Sequence, residues 1–290
     1  MTAVLYDIPG PRARARNNII GVIGTLVVLG LVGFVFLRLV QTGQFAPRLW
    51  DWITYVNIQY LLLGALWNTL RAFLLAAVLS LVFGAVFAGG RLSDHRWIST
   101  PATAVVEFFR AVPLLVLIFI LYYGVSRSLG LTISAYWAVV LGLMLYNGSV
   151  LAEVFRAGVL AQPRGQSEAA YALGMRKTQV MTNVLLPQAL RAMLPTIVAQ
   201  LVVVLKDTAL GFIILYPELL YQARFLGNQG QLGGPILQVA MVIAVIYITM
   251  CLLLSWLANW LEKRTRRGPR PAAPVQQPGE VGIGTGNPGV

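Results

Sequence analysis

The feature that most constrains this chain is a series of six apolar runs, each near twenty residues. They cover approximately 19–37, 63–88, 103–123, 133–150, 194–215 and 236–257. A helix rises about 1.5 Å per residue, so a run of roughly 20 residues crosses a hydrocarbon core about 30 Å thick. Only 11% of the residues are charged, against about a quarter in soluble domains. The expected fold is an all-α integral membrane protein with about six transmembrane helices. The first run follows "RARARNN", which resembles the start of a signal peptide, but it is long for such a segment and has no small-x-small site behind it. It is read as an uncleaved first span.

Basic residues set the expected orientation. One set of loops holds Arg12, Arg14, Arg16, Arg91, Arg96, Arg156, Arg164, Arg176, Lys177, Arg191, Lys263, Arg264, Arg266, Arg267 and Arg270. The opposite set holds Arg48, Arg127 and Arg224, which makes 15 against 3. Basic loops stay in the cytoplasm, so both termini and the stretch 165–195 are expected there. The net charge of +12 then reflects topology, and no nucleic-acid partner is implied. The external segment 41–60 carries Trp50, Trp52, Tyr55 and Tyr60, rings that favour the headgroup level. Three regions follow: 1–60 with the first span and interfacial segment, a core at 61–262, and a Pro- and Gly-rich tail at 263–290 expected to be disordered.

Several chemistries are disfavoured. The chain contains no G-x-x-x-x-G-K-[ST], no H-E-x-x-H, and no G-x-S-x-G. "GTGNPG" at 284–289 fits G-x-G-x-x-G, but no strand precedes it and a proline sits inside it. The single His95 and single Cys251 offer neither a metal cluster nor an intrachain disulfide.

Between the fourth and fifth runs lies "GQSEAAYALGMRKTQVMTNVLLPQALRAMLP" (165–195), polar, helix-prone and basic. Glu168, Ala169 and Ala170 favour helix, and Gly174 interrupts it. A second helix is expected over 178–185, stopping near Pro187. An amphipathic pair resting on anionic lipid is the alternative use of such a stretch.

This stretch resembles the EAA motif of ABC importer permeases: EAA, three residues, Gly, nine residues, Ile, one residue, Leu-Pro. Here Glu168-Ala169-Ala170, Gly174, Val184 and Leu186-Pro187 keep every spacing, with Val in place of Ile. "LWNTLRA" (66–72), "EFFRAVPLLVL" (107–117), "AEVFRAGVLAQPRGQSEAA" (152–170), "PQALRAMLP" (187–195) and "LKDTAL" (205–210) are similar to the polar amino acid branch, and resemble its actinobacterial glutamate-uptake permeases. The resemblance covers about 60–260. It implies a type I importer fold whose loop at 152–190 docks on a separate ATPase through Glu168, Ala169, Ala170, Gly174, Arg176, Leu186 and Pro187. It implies no cofactor in this chain; ATP and Mg are bound by two partner ATPase subunits. A homologous permease chain, in a homodimer or heterodimer, and an extracytoplasmic amino acid-binding protein complete the expected assembly in the cell membrane. Arg176 and Lys177 are expected to add charge complementarity to the docking surface.

Charges within spans are costly and mark cavities or pairs. Lys206 and Asp207 are adjacent, about 100° apart around a helix, which suits two outside partners such as a carboxylate and an ammonium. With Thr208, Glu107, Arg110 and Arg71 they are candidates for a substrate pocket, with Asn68, Thr69 and Asn147 as neutral neighbours. Glu107 and Arg110 are spaced i, i+3 and are able to pair. An ion-coupled secondary transporter would also explain intramembrane Glu107 and Asp207, but not the EAA spacing. An intramembrane enzyme lacks a catalytic set.

Overall fold

The computed structural model of the chain describes residues 10–265. The tail expected to be disordered falls, from Arg266 onward, outside the described residues. Among them every regular element is helical.

The first span, α1 (Pro11–Gln41), starts on a proline, whose fixed φ and missing N–H suit a helix N-terminus. None of its residues is buried against the rest of the chain. Two short 3-10 turns, Pro47–Leu49 and Asp51–Thr54, follow. They carry Trp52 into the interior beside Ala65, Leu219 and Val239. Its expected place at the headgroup level is corrected: the ring is core, while Tyr55 and Tyr60 are exposed.

The second span, α2 (Val56–Arg91), is continuous over 36 residues. The third apolar run does not form one straight span. It is split into α3 (Arg96–Ala111) and α4 (Leu114–Phe119), the latter extended by a π-helical stretch, Ile120–Val125. The two halves meet at 98°. The cause is Pro113: its ring clashes with a helical Val112, which is extended here (φ −82°, ψ 126°). A short α5 (Ser126–Leu129) leads to α6 (Ala135–Leu160), capped by the Ser134 side chain accepting from Trp137 N–H.

Next come α7 (Arg164–Ala172) and α8 (Lys177–Gln179), which runs through a π-helical stretch, Val180–Leu185, into α9 (Leu186–Asp207) and a 3-10 end at Thr208–Ile214. The helix expected to stop near Pro187 continues through it. Pro187 stands in the first turn after the π stretch. There the wider i→i+5 winding re-phases the backbone partners that a proline disrupts. Pro195 is also carried inside α9. The chain closes with α10 (Leu219–Gly227) and α11 (Ile236–Thr265).

Five helical stretches are long and apolar enough to cross a membrane, and six if the bent pair counts as one. The core joins α2, α4, α6 and α9 around Ala76, Ile118, Val139, Leu143 and Leu205. Glycines allow the closest approaches. A Cβ on Gly84 of α2 would stand 2.8 Å from the Leu151 Cβ and 3.2 Å from the Ala152 backbone nitrogen of α6. The packing therefore fixes α6 on α2 along one register.

Candidate functional site

Two sites emerge: a projecting handle formed by α7 and α8, and a polar belt within the helices.

The handle turns at Gly174. Met175 N–H donates to the Ala170 carbonyl (3.2 Å) and Gly174 N–H to Tyr171 (2.9 Å). This pair of bonds is the Schellman closure of a helix C-terminus, and it needs a left-handed residue; Gly174 has φ +77°. Beyond the turn, the Gln179 Oε1 accepts from Arg176 N–H (2.8 Å) and starts the second helix. Ala170 is buried at the joint, whereas Glu168, Ala169 and Arg176 are exposed. Leu173, at the tip, is 83% exposed. Leu186 and Pro187 lie exposed at the root of the handle, where α9 begins. Lys177, expected to face a partner, is instead engaged within the chain. Its Nζ pairs with Asp94 and donates to the Leu92 carbonyl (3.3 Å). The pair sits at the mouth of a cleft of about 580 Å³ lined by α2, α6 and the root of α9, with His95 at its rim.

Near the handle end, Glu153 of α6 gathers three arginines: Arg91 (2.6 Å), Arg156 (2.6 Å) and Arg110 (3.7 Å). Glu107 does not pair with Arg110; it reaches Arg91 at 3.9 Å. Both residues stand one turn apart on α3, but partners on other helices take them: Arg91 of α2 for Glu107 and Glu153 of α6 for Arg110. Sequence reading missed Glu153, although it stands inside the quoted "AEVFRAG".

Arg71 lies 20 residues before Arg91 on the same unbroken helix, hence about 30 Å away along its axis. One small molecule therefore does not touch both Arg71 and the Arg110 cluster. Instead Arg71 Nε donates to the Tyr216 hydroxyl (3.3 Å), and its guanidinium lies 4.9 Å from the Tyr136 ring centroid.

Lys206 and Asp207 diverge, as their 100° offset requires. Lys206 is exposed and lines a hollow of about 380 Å³ with Leu220, Tyr247 and Cys251. Asp207 is half-buried and faces Asn147 of α6. The Asn147 Oδ1 accepts from Gln200 Nε2 (2.7 Å), which leaves its buried Nδ2 to face Asp207. Gln200 and Asp207 are seven residues apart, two turns on one face of α9, so Gln200 joins this belt although sequence reading passed over it. Thr208 is fully buried and donates to the Leu205 carbonyl (2.6 Å). Thr69 accepts from Leu219 N–H (3.3 Å), and Asn68 Nδ2 donates to the Pro217 carbonyl (2.8 Å). Glu218, also missed, is fully buried at the N-cap of α10. It accepts from Leu220 N–H, Tyr221 N–H and the Tyr247 hydroxyl at 2.7–2.8 Å. Burial pushes its carboxyl up to about 7. Among the described residues no group of three or more His, Cys, Asp or Glu is placed to hold a metal ion.

A bundle of apolar helices with a polar handle at one end has known counterparts. Residues 80–267 match the family of binding-protein-dependent transport system inner membrane components. The chain is an ABC importer permease. It is 38% identical to the glutamate transport system permease protein GluD of Corynebacterium glutamicum, over 75% of this permease and 80% of that protein. It is 31% identical to the arginine transport system permease protein ArtQ of Bacillus subtilis, over 73% of this permease and 95% of the relative. Among solved structures, an amino acid ABC transporter crystallised with histidines superposes with a TM-score of 0.67 at 31% identity, covering 74% of this permease and 98% of that chain. The methionine transporter MetNI, inward facing, superposes at 0.63 with 19% identity and shares the fold. The permease is thus a multi-pass inner membrane protein of type I importer architecture.

Proposed function

We propose that the permease forms the translocation path of an ATP-driven amino acid importer, with glutamate as substrate, and that the handle is its only mechanical link to the energy source. The handle docks on an ATPase subunit, two of which serve a pair of permease chains. ATP and Mg are held there, since this chain carries no P-loop. A binding protein delivers the amino acid on the opposite side. The handle faces the cytoplasm, on the strength of the 15-to-3 distribution of basic residues.

The observation that carries this reading is the continuity of the handle with a span. From Lys177 the backbone stays helical to Ile214 through the π stretch, so a displacement carried across the Gly174 turn to Lys177 passes into α9 without a further break. Asp207 and Gln200 stand on that helix, so the same motion shifts the polar belt. Glutamate is supported by the similarity to GluD and by Arg71, a span cation suited to a carboxylate. In this reading Lys206 and Asp207 serve the ligand's charges, and the Glu153 cluster braces the handle end.

Affinity purification of the permease from its native membrane tests the assembly. An ATP-binding subunit should co-purify, and Leu173→Asp should lose it while inserting normally. Retention of the ATPase by Leu173→Asp would remove the handle from the interface. Uptake driven by an ion gradient without ATP would replace the whole reading with secondary transport.

A further inference from the structure

One segment of the permease is strained, anchored by buried side chains and wired to an unpaired cation. Leu215 has φ +61° and ψ 26°, and among the described residues it is the one non-glycine at positive φ. A leucine resists this conformation because its Cβ crowds the following carbonyl. Such strain persists where surrounding bonds over-determine it, and it concentrates at switching elements.

Those bonds are present. The segment 215–218 follows the 3-10 end of the fifth span, on the side away from the handle. Tyr216, nearly fully buried, donates its hydroxyl to the Asn68 carbonyl (2.8 Å). Asn68 returns a bond to the Pro217 carbonyl, Leu219 N–H bonds to Thr69, and Glu218 holds Tyr247 of α11. Tyr216 and Glu218 point inward, whereas Leu215 is 68% exposed and Pro217 is exposed too. The segment is therefore pinned shut between α2 and α11 against its own backbone preference.

Arg71 touches this arrangement at one point. Its side chain is exposed, lies on a span, and has no carboxylate within ion-pair distance among the described residues. Its polar contact is the Tyr216 hydroxyl, and the Tyr136 ring supports it from beneath. A span cation without a counter-anion is costly unless a ligand or water supplies one. Its Nε and Nη form the planar fork that fits a carboxylate.

We propose that Arg71 receives a carboxylate of the acidic amino acid and that Tyr216 relays its occupancy to residues 215–218, which form the gate on that side. A carboxylate bound to the fork draws Nε away from the Tyr216 hydroxyl. The segment then loses one of the bonds that hold Leu215 in its strained form, and opening is favoured only when an acidic ligand is present. Arg71 is the specificity-determining contact, and Leu215 and Tyr216 are positioning residues.

This rests on the reading of the permease as an importer of an acidic amino acid, so the test separates the two. The complete complex, with ATPase and binding protein, is reconstituted in vesicles, and uptake of labelled glutamate and glutamine is measured at saturating substrate. Wild type without ATP-dependent uptake would defeat the importer reading itself. Given wild-type uptake, Arg71→Gln should lower glutamate transport by about tenfold or more, and Arg71→Lys should keep most of it. Glutamine transport, where wild type supports it, should be little changed. Equal effects of Gln and Lys at position 71, or equal loss of both substrates, would overturn the carboxylate assignment. Leu215→Gly tests the gate separately, because glycine accepts this φ without strain. It should raise the thermal unfolding midpoint of the complex and slow glutamate uptake. A stabilised complex that transports at the wild-type rate would show that the strain is not part of gating.

Discussion

At the scale of residues, Gly174 and Leu215 pose the same backbone question and answer it differently. Gly174 turns the handle at φ +77°, and a Cβ built there meets nothing within 4 Å. The obstacle to substitution is thus the backbone conformation alone, at roughly 1–2 kcal/mol for an ordinary L-residue. Asn tolerates the left-handed region better than most. Gly174→Asn should therefore keep more ATP-driven uptake than Gly174→Val, at equal membrane levels, and equal uptake would remove the turn from the mechanism. Asp207 and Lys206 carry a second prediction. Each should be needed for net uptake: Lys206→Met and Asp207→Asn should abolish transport, while basal ATP hydrolysis by the assembled complex survives. Unchanged uptake in either variant would make that residue structural. The divergence of this pair was legible in the sequence, because adjacent helical residues never share a face. Gln200 was not, since a lone glutamine in an apolar run acquires meaning only once α6 brings Asn147 to it.

At the scale of elements, the bent third span separates what the sequence contained from what was read out of it. Hydropathy registers only that 103–123 is apolar. The proline at 113 held the information on the break, because the residue before a proline is driven from the helical region. Pro187 and Pro195 show why that signal alone is not decisive: both sit inside a continuous helix, one of them behind a π stretch. Trp52 went to the core for a reason invisible locally, since its partners Leu219 and Val239 lie far along the chain. Packing of α2 on α6 gives a direct test. Gly84→Leu should destabilise the protein by about 1–3 kcal/mol through overpacking, read as a lower unfolding midpoint in detergent, whereas Gly64→Leu should not, since a Cβ at Gly64 meets nothing within 4 Å. Orientation is tested with Cys251 first replaced by alanine. In intact cells an impermeant thiol reagent should label Gln231→Cys, and it should label Leu173→Cys only after permeabilisation. The reverse pattern would invert the topology.

For the whole molecule, six apolar runs and one spaced motif sufficed to indicate the fold, because a bilayer admits few ways to satisfy a backbone. The ligand path was less legible. It depends on which helices stand side by side, and the 20-residue separation of Arg71 from Arg91 on the continuous α2 divides charges that a linear reading grouped together. In the proposed mechanism the handle delivers ATP-derived motion to the path. The most direct measurement of this is glutamate uptake by vesicles containing the permease, its ATPase and the binding protein, with ATP inside, for wild type and Gly174→Val. Wild type should accumulate glutamate in an ATP-dependent way and the variant should lose it, with the ATPase still hydrolysing ATP. Accumulation at the wild-type rate by Gly174→Val, or by wild type without ATP, would contradict this mechanism.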